Sequence, residues 1–534
     1  NVAVGDDALS GNTTASFNTA VGRLAMAANT TGDSLTAVGY NALRANTTAA
    51  SNTAIGYYAL AANTTGANNT AVGESSLDAN TTGAGNSAVG QGALGANTTG
   101  ADNTAIGANS LDATTTGYQN VAVGKDALTT NVTAHRSTAV GYEALKASNV
   151  SGDSFAYNVG LGFRAGLSLT TGTVNTFVGP KAGDATTTGS YNTAIGLNSL
   201  GANTTASNNT SVGADALGAN TTGTRNTAIG TDAAQNLTTG SYNTALGSQS
   251  LQFATTAVGN LAAGYGAMYD HTTGSDNTGL GRNALGNNTT ANNNTAVGSQ
   301  ALLANTTGAA NVAVGKSALV ANTTAANNVA IGDACLYTNT TGASNTAVGK
   351  DSLRLNTTGA ANVAVGMEAG KAVTTGTDNT LIGYNAGYHT HSLTTGSSIT
   401  IIGAKSHPSG ATSARQIVIG YNVHGGGNDT FVFGDADTDS LIGFGGTSIS
   451  APSDERLKQN ITTSTAGLSF INDLRPVTYE WKKRKDITET LNAYKENSEE
   501  RFNNDNVNHG FIAQEVKTVI DNHSEIKDGF DMWR

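Results

Sequence analysis

The sequence predicts a mainly β fold, an elongated parallel β-roll or β-solenoid of about 25 coils followed by a small α+β domain. Three observations predict it. The pentapeptide Asn-Thr-Ala-Val-Gly, with small variations, recurs along most of the chain, usually with a 17-residue period. The 534 residues include 67 Gly, 4 Pro and only 6% aromatic residues, too few large side chains for a thick core. Charged residues become much more frequent after residue 452.

The repeat is best followed by the glycine that ends each pentapeptide. From Gly5 to Gly141 these glycines recur at a 17-residue step, and a 21-residue step then leads to Gly162. The 17-residue step resumes through Gly383, a 20-residue step follows, and the spacing shortens after Gly420. A fixed short period indicates one structural unit stacked on itself. Glycine suits a tight corner of such a unit because it tolerates a positive φ.

Each coil is expected to contain two short strands and a polar corner. The pentapeptide forms the first strand, and a second should carry the Leu four residues after the glycine, as at Leu60 and Leu77. Ala-Asn-Thr-Thr-Gly closes the coil and predicts a solvent-facing or stacked Asn/Thr ladder rather than glycosylation sites. We expect each coil to bury one Val or Ile, one Leu and some Ala. Because this core is slim, we also expect a homotrimer that shares its interior.

The strand motif resembles that of a known adhesin family. Thr53-Ala54-Ile55-Gly56, followed by Ala-Leu, is similar to the repeats in the head of trimeric autotransporter adhesins of the YadA type. The resemblance covers about residues 1–445 and implies a left-handed β-roll and a trimer. The coil is longer here, because the extra Asn-Thr-Thr extends one corner.

A second resemblance begins after Ala451-Pro452. Three blocks, at 453–461, 474–481 and 508–516, resemble the intramolecular chaperone domain of phage endosialidases, tail spikes and tail fibres. The blocks begin with Ser-Asp-Glu-Arg-Leu-Lys, Leu-Arg-Pro-Val and Asn-His-Gly-Phe-Ile-Ala-Gln-Glu-Val. This family implies a domain that trimerises, guides folding of the β-structured fibre upstream and then cuts itself off.

The resemblance also implies the chemistry of cleavage. The bond cut is Pro452–Ser453, with Ser453 as nucleophile and Lys458 as general base. Lysine can act as a base only where burial lowers its pKa towards neutrality. His509 is a further candidate for orientation or proton transfer. On this interpretation the C-terminal domain is a single-turnover Ser-Lys autoprotease and the shaft is not an enzyme. The alternative interpretation of the first block is a charged helix start capped by Ser453.

These patterns divide the chain into three regions. Residues 1–383 form regular 17-residue repeats, 384–452 form irregular repeats and the tapering end of the shaft, and 453–534 form the chaperone and autoprotease domain. The chain starts inside a repeat and ends before a further helical segment expected of the chaperone family. We therefore expect it to be truncated at both ends.

Two clusters are candidates for metal binding, although the interpretation requires no cofactor. His389 and His391 alternate along the chain, so three chains could present six imidazoles to a transition metal. Asp435, Asp437 and Asp439 resemble the start of a calcium loop, but Ser and Gly stand where its conserved Gly and Glu belong. The alternatives are a solvated polar loop and a polar turn.

The composition also limits the partners. A net charge of −11 without a basic run argues against nucleic acid, and the chain lacks an apolar run long enough for membrane insertion. A single cysteine, Cys335, excludes a disulfide framework within the chain. Tyr and Phe are sparse in the repeats, so no sugar-stacking cluster is predicted. Any receptor site is expected in the irregular segment 384–445.

The function that combines these features is a homotrimeric phage tail fibre or spike, extracellular on the virion. It would bind a host cell-surface receptor or glycan, and other virion tail proteins through a missing N-terminal region. The alternatives are a bacterial trimeric adhesin on the cell surface and a tail spike enzyme that depolymerises glycan. The enzyme would need paired carboxylates in a groove.

Overall fold

A computed structural model describes residues 1–152, 154–435, 440–443, 467–488, 494–501 and 506–523. By its internal contacts the chain divides into two compact units, Asn1–Ala451 and Pro452–Arg534. We describe the two units separately.

The first unit is a parallel β-solenoid with a 17-residue period, which confirms the predicted fold class. Each coil contributes one strand, and each strand pairs in parallel with the strand of the next coil. Ala54 lies opposite Ala71 and Ile55 opposite Val72, for example. The strands are β1 (Val2–Val4), β2 (Thr19–Val21), β3 (Thr36–Val38), β4 (Thr53–Ile55), β5 (Thr70–Val72), β6 (Ser87–Val89), β7 (Thr104–Ile106), β8 (Val121–Val123), β9 (Thr138–Val140), β10 (Val159–Leu161), β11 (Thr176–Val178), β12 (Thr193–Ile195), β13 (Thr210–Val212), β14 (Thr227–Ile229), β15 (Thr244–Leu246), β16 (Leu261–Ala263), β17 (Thr278–Leu280), β18 (Thr295–Val297), β19 (Val312–Val314), β20 (Val329–Ile331), β21 (Thr346–Val348), β22 (Val363–Val365), β23 (Thr380–Ile382), β24 (Thr400–Ile402), β25 (Gln416–Tyr421), β26 (Thr430–Asp435) and β27 (Ser440–Gly443).

The two irregular steps leave the strand register intact. Across the 21-residue step, Ala139 of β9 pairs with Gly160 of β10. Across the 20-residue step, Leu381 of β23 pairs with Ile401 of β24. The extra residues are therefore accommodated in the connections, and this makes those two coils different on the outside of the solenoid.

The stack changes near its C-terminal end. β25 and β26 pair in parallel over six residues, twice the length of the earlier strands. β26 then pairs antiparallel with β27, with Phe431 opposite Ile442. An antiparallel final strand ends the one-strand-per-coil progression within the described residues.

The predicted second strand does not form in the coils that the structure describes. In its place the backbone alternates into the left-handed region, with φ of 57° at Tyr58 and 53° at Leu60. The Tyr58 N–H donates to the Tyr40 carbonyl of the preceding coil at 3.0 Å, and the Leu60 N–H donates to the Ser76 carbonyl of the next coil at 2.9 Å. These bonds to both neighbouring coils compensate for the cost of placing non-glycine residues in this region.

The core also differs from the expectation. From β2 to β24 the central residue of each strand, most often Ala, is buried, and so is the Leu that usually follows the corner, as Ala54 and Leu60 show. The Val or Ile directly before the corner glycine faces outwards instead, and Ile55 is 39% exposed. This outward residue is Val, Ile or Leu in every coil from β1 to β25 except at Ala263. We call this row the apolar stripe.

Two ladders of asparagine run inside the solenoid. In the first, the side-chain amide of Asn80 donates to Asn63 Oδ1 at 2.8 Å and accepts from Asn97 at 2.8 Å. In the second, the Asn86 backbone N–H donates to Asn69 Oδ1 at 2.9 Å. Of the two predicted arrangements for the asparagines of the Asn-Thr-Thr corners, the stacked one is found. Their side chains are buried and do not face solvent. Their burial leaves no room for a glycan.

The second unit contains α1 (Leu468–Asp473), β28 (Val477–Tyr479), a short 3-10 helix (Arg484–Asp486), β29 (Asn508–Gly510) and α2 (Ala513–Asn522). β28 and β29 pair antiparallel. Neither helix in the described parts of the chain has the length and apolar character to cross a bilayer.

Replacement of Asn80 by Ala should destabilise the solenoid strongly. Asn80 is fully buried, and its amide also donates to the Gly83 carbonyl at 3.0 Å. The substitution leaves Asn63 Oδ1 and one amide hydrogen of Asn97 without a partner, at roughly 1–3 kcal/mol for each unsatisfied group. Denaturant unfolding should show a clear fall in the midpoint. Thr82→Ala, at an exposed position two residues on, is the control. Equal midpoints for both variants would contradict a structural role for the ladder.

Candidate functional site

Three histidines from three successive coils meet near the C-terminal end of the solenoid. They are His391, His407 and His424, and one ligand nitrogen from each lies within 4.8 Å of the others. The ring centroids of His391 and His407 are 5.2 Å apart, and those of His407 and His424 are 4.9 Å apart. We call this group the tri-His cluster. Its nitrogens are close enough together to share one ion.

The backbone holds two members of the cluster in register. His407 follows β24, His424 follows β25, and the two form an isolated parallel β-bridge. The His407 N–H donates to the Val423 carbonyl at 3.0 Å, and the Gly425 N–H donates to the His407 carbonyl at 2.9 Å. His391 comes from the longer connection of the 20-residue step, between β23 and β24.

The environment of His407 favours a neutral imidazole. Its side chain is buried, whereas those of His391 and His424 are exposed. Burial lowers the pKa of His407, and the nearby imidazoles of His424 and His391 lower it further. His407 Nδ1 lies 3.2 Å from the Pro408 carbonyl, which can accept its proton and so leave Nε2 with a free lone pair.

The two histidines predicted as a pair, His389 and His391, have different surroundings in the structure. His391 belongs to the tri-His cluster, while the His389 ring stacks on His407 at a centroid distance of 6.0 Å. His389 Nδ1 also lies 2.9 Å from the Thr390 hydroxyl. The prediction that three chains join these histidines on one axis stays a prediction.

His407 and His424 were not predicted as site residues from the sequence. The signal was their spacing, because each lies four residues after a corner glycine, Gly403 or Gly420, and those glycines are one regular period apart. Identical positions in successive coils stack on each other in a solenoid. Aligning the histidines to the repeat would have paired them.

An aromatic cluster lies at the 21-residue step, contrary to the expectation that the repeats contain no such group. Tyr118 stacks on His135 at 3.9 Å between ring centroids, and Phe155 stacks on Tyr157 at 5.5 Å. The guanidinium of Arg136 lies 4.5 Å from the centre of the Phe155 ring and donates to the Tyr157 hydroxyl at 3.1 Å. Phe155 and Tyr157 are both exposed, so the cluster presents flat apolar faces beside a cation to solvent.

The acidic candidates are only partly described. Asp435 is the last residue of β26 and is exposed. Asp437 and Asp439 lie outside the described residues. The calcium prediction therefore stays a prediction.

The proposed cleavage residues Pro452, Ser453 and Lys458 also lie outside the described residues. His509 is exposed in β29, where it pairs with Thr478 of β28. It lines a shallow depression with Pro476, Val477 and Phe511. These contacts bring the second and third motif blocks together.

An ion pair joins the same two blocks a second time. Arg475, from the Leu-Arg-Pro-Val block, makes a two-pronged contact with Glu515 in the first turn of α2, with Nε 2.9 Å from Oε2. The paired charge holds the pKa of Glu515 below its usual range and raises that of Arg475. Two motif blocks that lie about 40 residues apart in sequence thus form one local structure.

Comparison with known protein families gives a match for the C-terminal residues. A peptidase family model described as the chaperone of endosialidase matches residues 453–525. Searches of curated proteins and of solved structures gave no significant match. A C-terminal chaperone domain of this kind together with a β-solenoid fits the tail-fibre or tail-spike type of protein.

Proposed function

We propose that the protein is a virion tail fibre or tail spike, a homotrimer that attaches to the host cell surface and carries a C-terminal chaperone that removes itself after folding. The observation that supports this most directly is the chaperone match at 453–525, adjoining a solenoid of 17-residue coils. The same match favours a phage fibre over a bacterial surface adhesin, because the matched domain is described from endosialidase.

The apolar stripe supports the trimer. It follows one face of the parallel sheet from β1 to β25, with half-exposed or exposed Val, Ile and Leu, as at Ile229, Ile331 and Ile382. A continuous apolar row of this length is unusual on the surface of a soluble monomer and marks an interaction surface. Identical copies supply a matching row of the same length and spacing. We propose that copies of this chain cover the stripe.

Placing a charge on the stripe should therefore weaken assembly. Ile229 is 43% exposed, so Asp at this position is tolerated in a single chain but buries an unpaired charge in an assembled trimer. Sedimentation velocity should show a trimer for the unmodified chain and a shift towards monomer for Ile229→Asp. Thr222→Asp, at an exposed corner of the same coil, is the matched control. A monomeric unmodified chain would contradict the proposal.

The chemistry of self-removal follows from the residues at the boundary. Lys458 takes the proton of the Ser453 hydroxyl, and the oxygen attacks the Pro452 carbonyl carbon. The peptide nitrogen leaves as an amine, and an ester joins Pro452 to the Ser453 oxygen. Water then hydrolyses the ester, so that Pro452 gains a carboxylate and Ser453 keeps its hydroxyl. The net reaction is hydrolysis of one peptide bond and needs no cofactor.

Cleavage before Ser453 is testable by intact mass. The unmodified full chain should yield a fragment that ends at Pro452. Ser453→Ala and Lys458→Ala should both abolish this fragment, whereas Ser450→Ala, three residues upstream, should not. Trimer formation is measured in parallel by sedimentation. If the unmodified chain stays uncut but still forms trimers, the chaperone role is supported and the self-cleavage is contradicted.

For attachment we propose that the aromatic cluster, rather than the segment 384–445 that the sequence favours, binds host glycan. Sugar rings present flat C–H faces that stack on aromatic rings such as those of Phe155 and Tyr157, and Arg136 can donate to sugar or carboxylate oxygens. The cluster lies on a coil that the extra residues make different from its neighbours, and binding residues are commonly found on such irregular connections of a rigid scaffold.

Loss of the exposed rings should reduce attachment without affecting assembly. Labelled protein carrying Phe155→Ala and Tyr157→Ala is expected to bind host cells at least about 10-fold more weakly, the cost of roughly two stacking contacts. Tyr191→Ala, an exposed tyrosine on another coil, is the control. Host binding that is unchanged in the double variant would exclude this cluster as the attachment site.

A further inference from the structure

We infer that the tri-His cluster is a binding site for a divalent transition metal, with Zn²⁺ as the best fit, formed within a single chain. Each of the three coils contributes one imidazole, and the ligand nitrogens already lie within 4.8 Å of one another. A tetrahedral zinc site requires nitrogens about 2.0–2.1 Å from the ion, a spacing that small rotations of the rings reach from this starting point. The inference is independent of the host-attachment function.

The ligand chemistry selects the class of metal. Imidazole nitrogen suits Zn, Cu, Ni and Fe, whereas Ca²⁺ and Mg²⁺ prefer oxygen. Three histidines with a fourth position left for water or another ligand make a common zinc arrangement.

The surroundings fit a ligand site in two further respects. The Pro408 carbonyl beside His407 Nδ1 can accept the proton of that nitrogen and leave Nε2 as the ligand atom, the kind of outer contact that accompanies metal-bound histidines. The β-bridge between His407 and His424 fixes two ligands on the rigid stack before any ion arrives. Only His391 comes from the longer connection, so the ion would attach that connection to the following two coils.

This site differs from the interchain site predicted for His389 and His391. An axial site made by three chains holds one ion for three chains and requires His389. The tri-His cluster holds one ion in each chain and requires His407 and His424. The number of ions per chain and the effect of single substitutions therefore separate the two.

The experiment uses the untagged full chain, freed of metal with a chelator and titrated with Zn²⁺ by calorimetry and with Co²⁺ by absorption. We expect one ion per chain and the intense visible bands of tetrahedral Co²⁺. His391→Gln and His424→Gln, both at exposed positions, should each lower Zn²⁺ affinity by at least about 10–100-fold, the loss that removal of an outer-shell partner alone causes. His407→Ala should do the same, while His389→Ala should retain binding.

His509→Ala, an exposed histidine in the other unit, is the matched control and should bind as the unmodified chain does. Bound Zn²⁺ should also raise the unfolding midpoint of the unmodified chain but not that of His424→Gln, which tests binding without relying on the buried His407. Absence of Zn²⁺ binding at micromolar concentrations would overturn the inference. A stoichiometry of one ion per three chains, with binding lost in His389→Ala, would also overturn it. Unchanged Zn²⁺ affinity in the His424→Gln variant would do the same.

Discussion

The close approach of successive coils at the corner glycines is the constraint on which the rest of the structure depends. At Gly90, φ is 135°, and a Cβ atom there would lie 2.6 Å from the carbonyl oxygen of Gly107 in the next coil. No side chain fits this gap, so every regular coil has glycine at the same position. Because each corner must meet the next, the 17-residue period is fixed wherever the stack is regular.

Once the coils are locked in register, identical side chains form continuous rows. Most of the buried asparagines donate to one another and to backbone carbonyls, which allows a polar side chain to line the interior. Where the next coil has Thr114, Leu237 or Val373 in place of asparagine, the ladder is interrupted and the last amide oxygen is left without a partner. The same register places Val, Ile and Leu in a row on the outside. A repeat therefore creates both an interior whose polar groups are mostly paired within one chain and an outer face that a single chain leaves uncovered.

The two clusters of aromatic and histidine side chains lie where the chain departs from the regular repeat. Phe155 and Tyr157 of the aromatic cluster lie in the 21-residue step, and His391 of the tri-His cluster lies in the 20-residue step. The paired strands on either side of both steps keep their register. The scaffold can accept extra residues in its connections at little cost because the corners and ladders carry the stacking. A terminal chaperone suits such a molecule, since parallel stacking must begin in the correct register and long β structures expose unpaired edges while they fold.

The sequence by itself determined the period, the solenoid, the corner glycines and the chaperone motif, because each depends on spacing or on a local pattern. It also showed that the two faces of each strand differ, but only the tertiary structure decided which face is inside. In a regular coil Leu60 already fills the interior, so the methyl of Ala54 fits beside it and the larger Ile55 faces outwards, a matter of available space that alternation cannot reveal. Phe177 occupies the same inner position only where Gly166 and Gly183 stand beside it. Likewise, the left-handed backbone at Leu60 is stabilised by hydrogen bonds to neighbouring coils. The meeting of His391 with His407 and His424 depends on how the longer connection folds back over the stack.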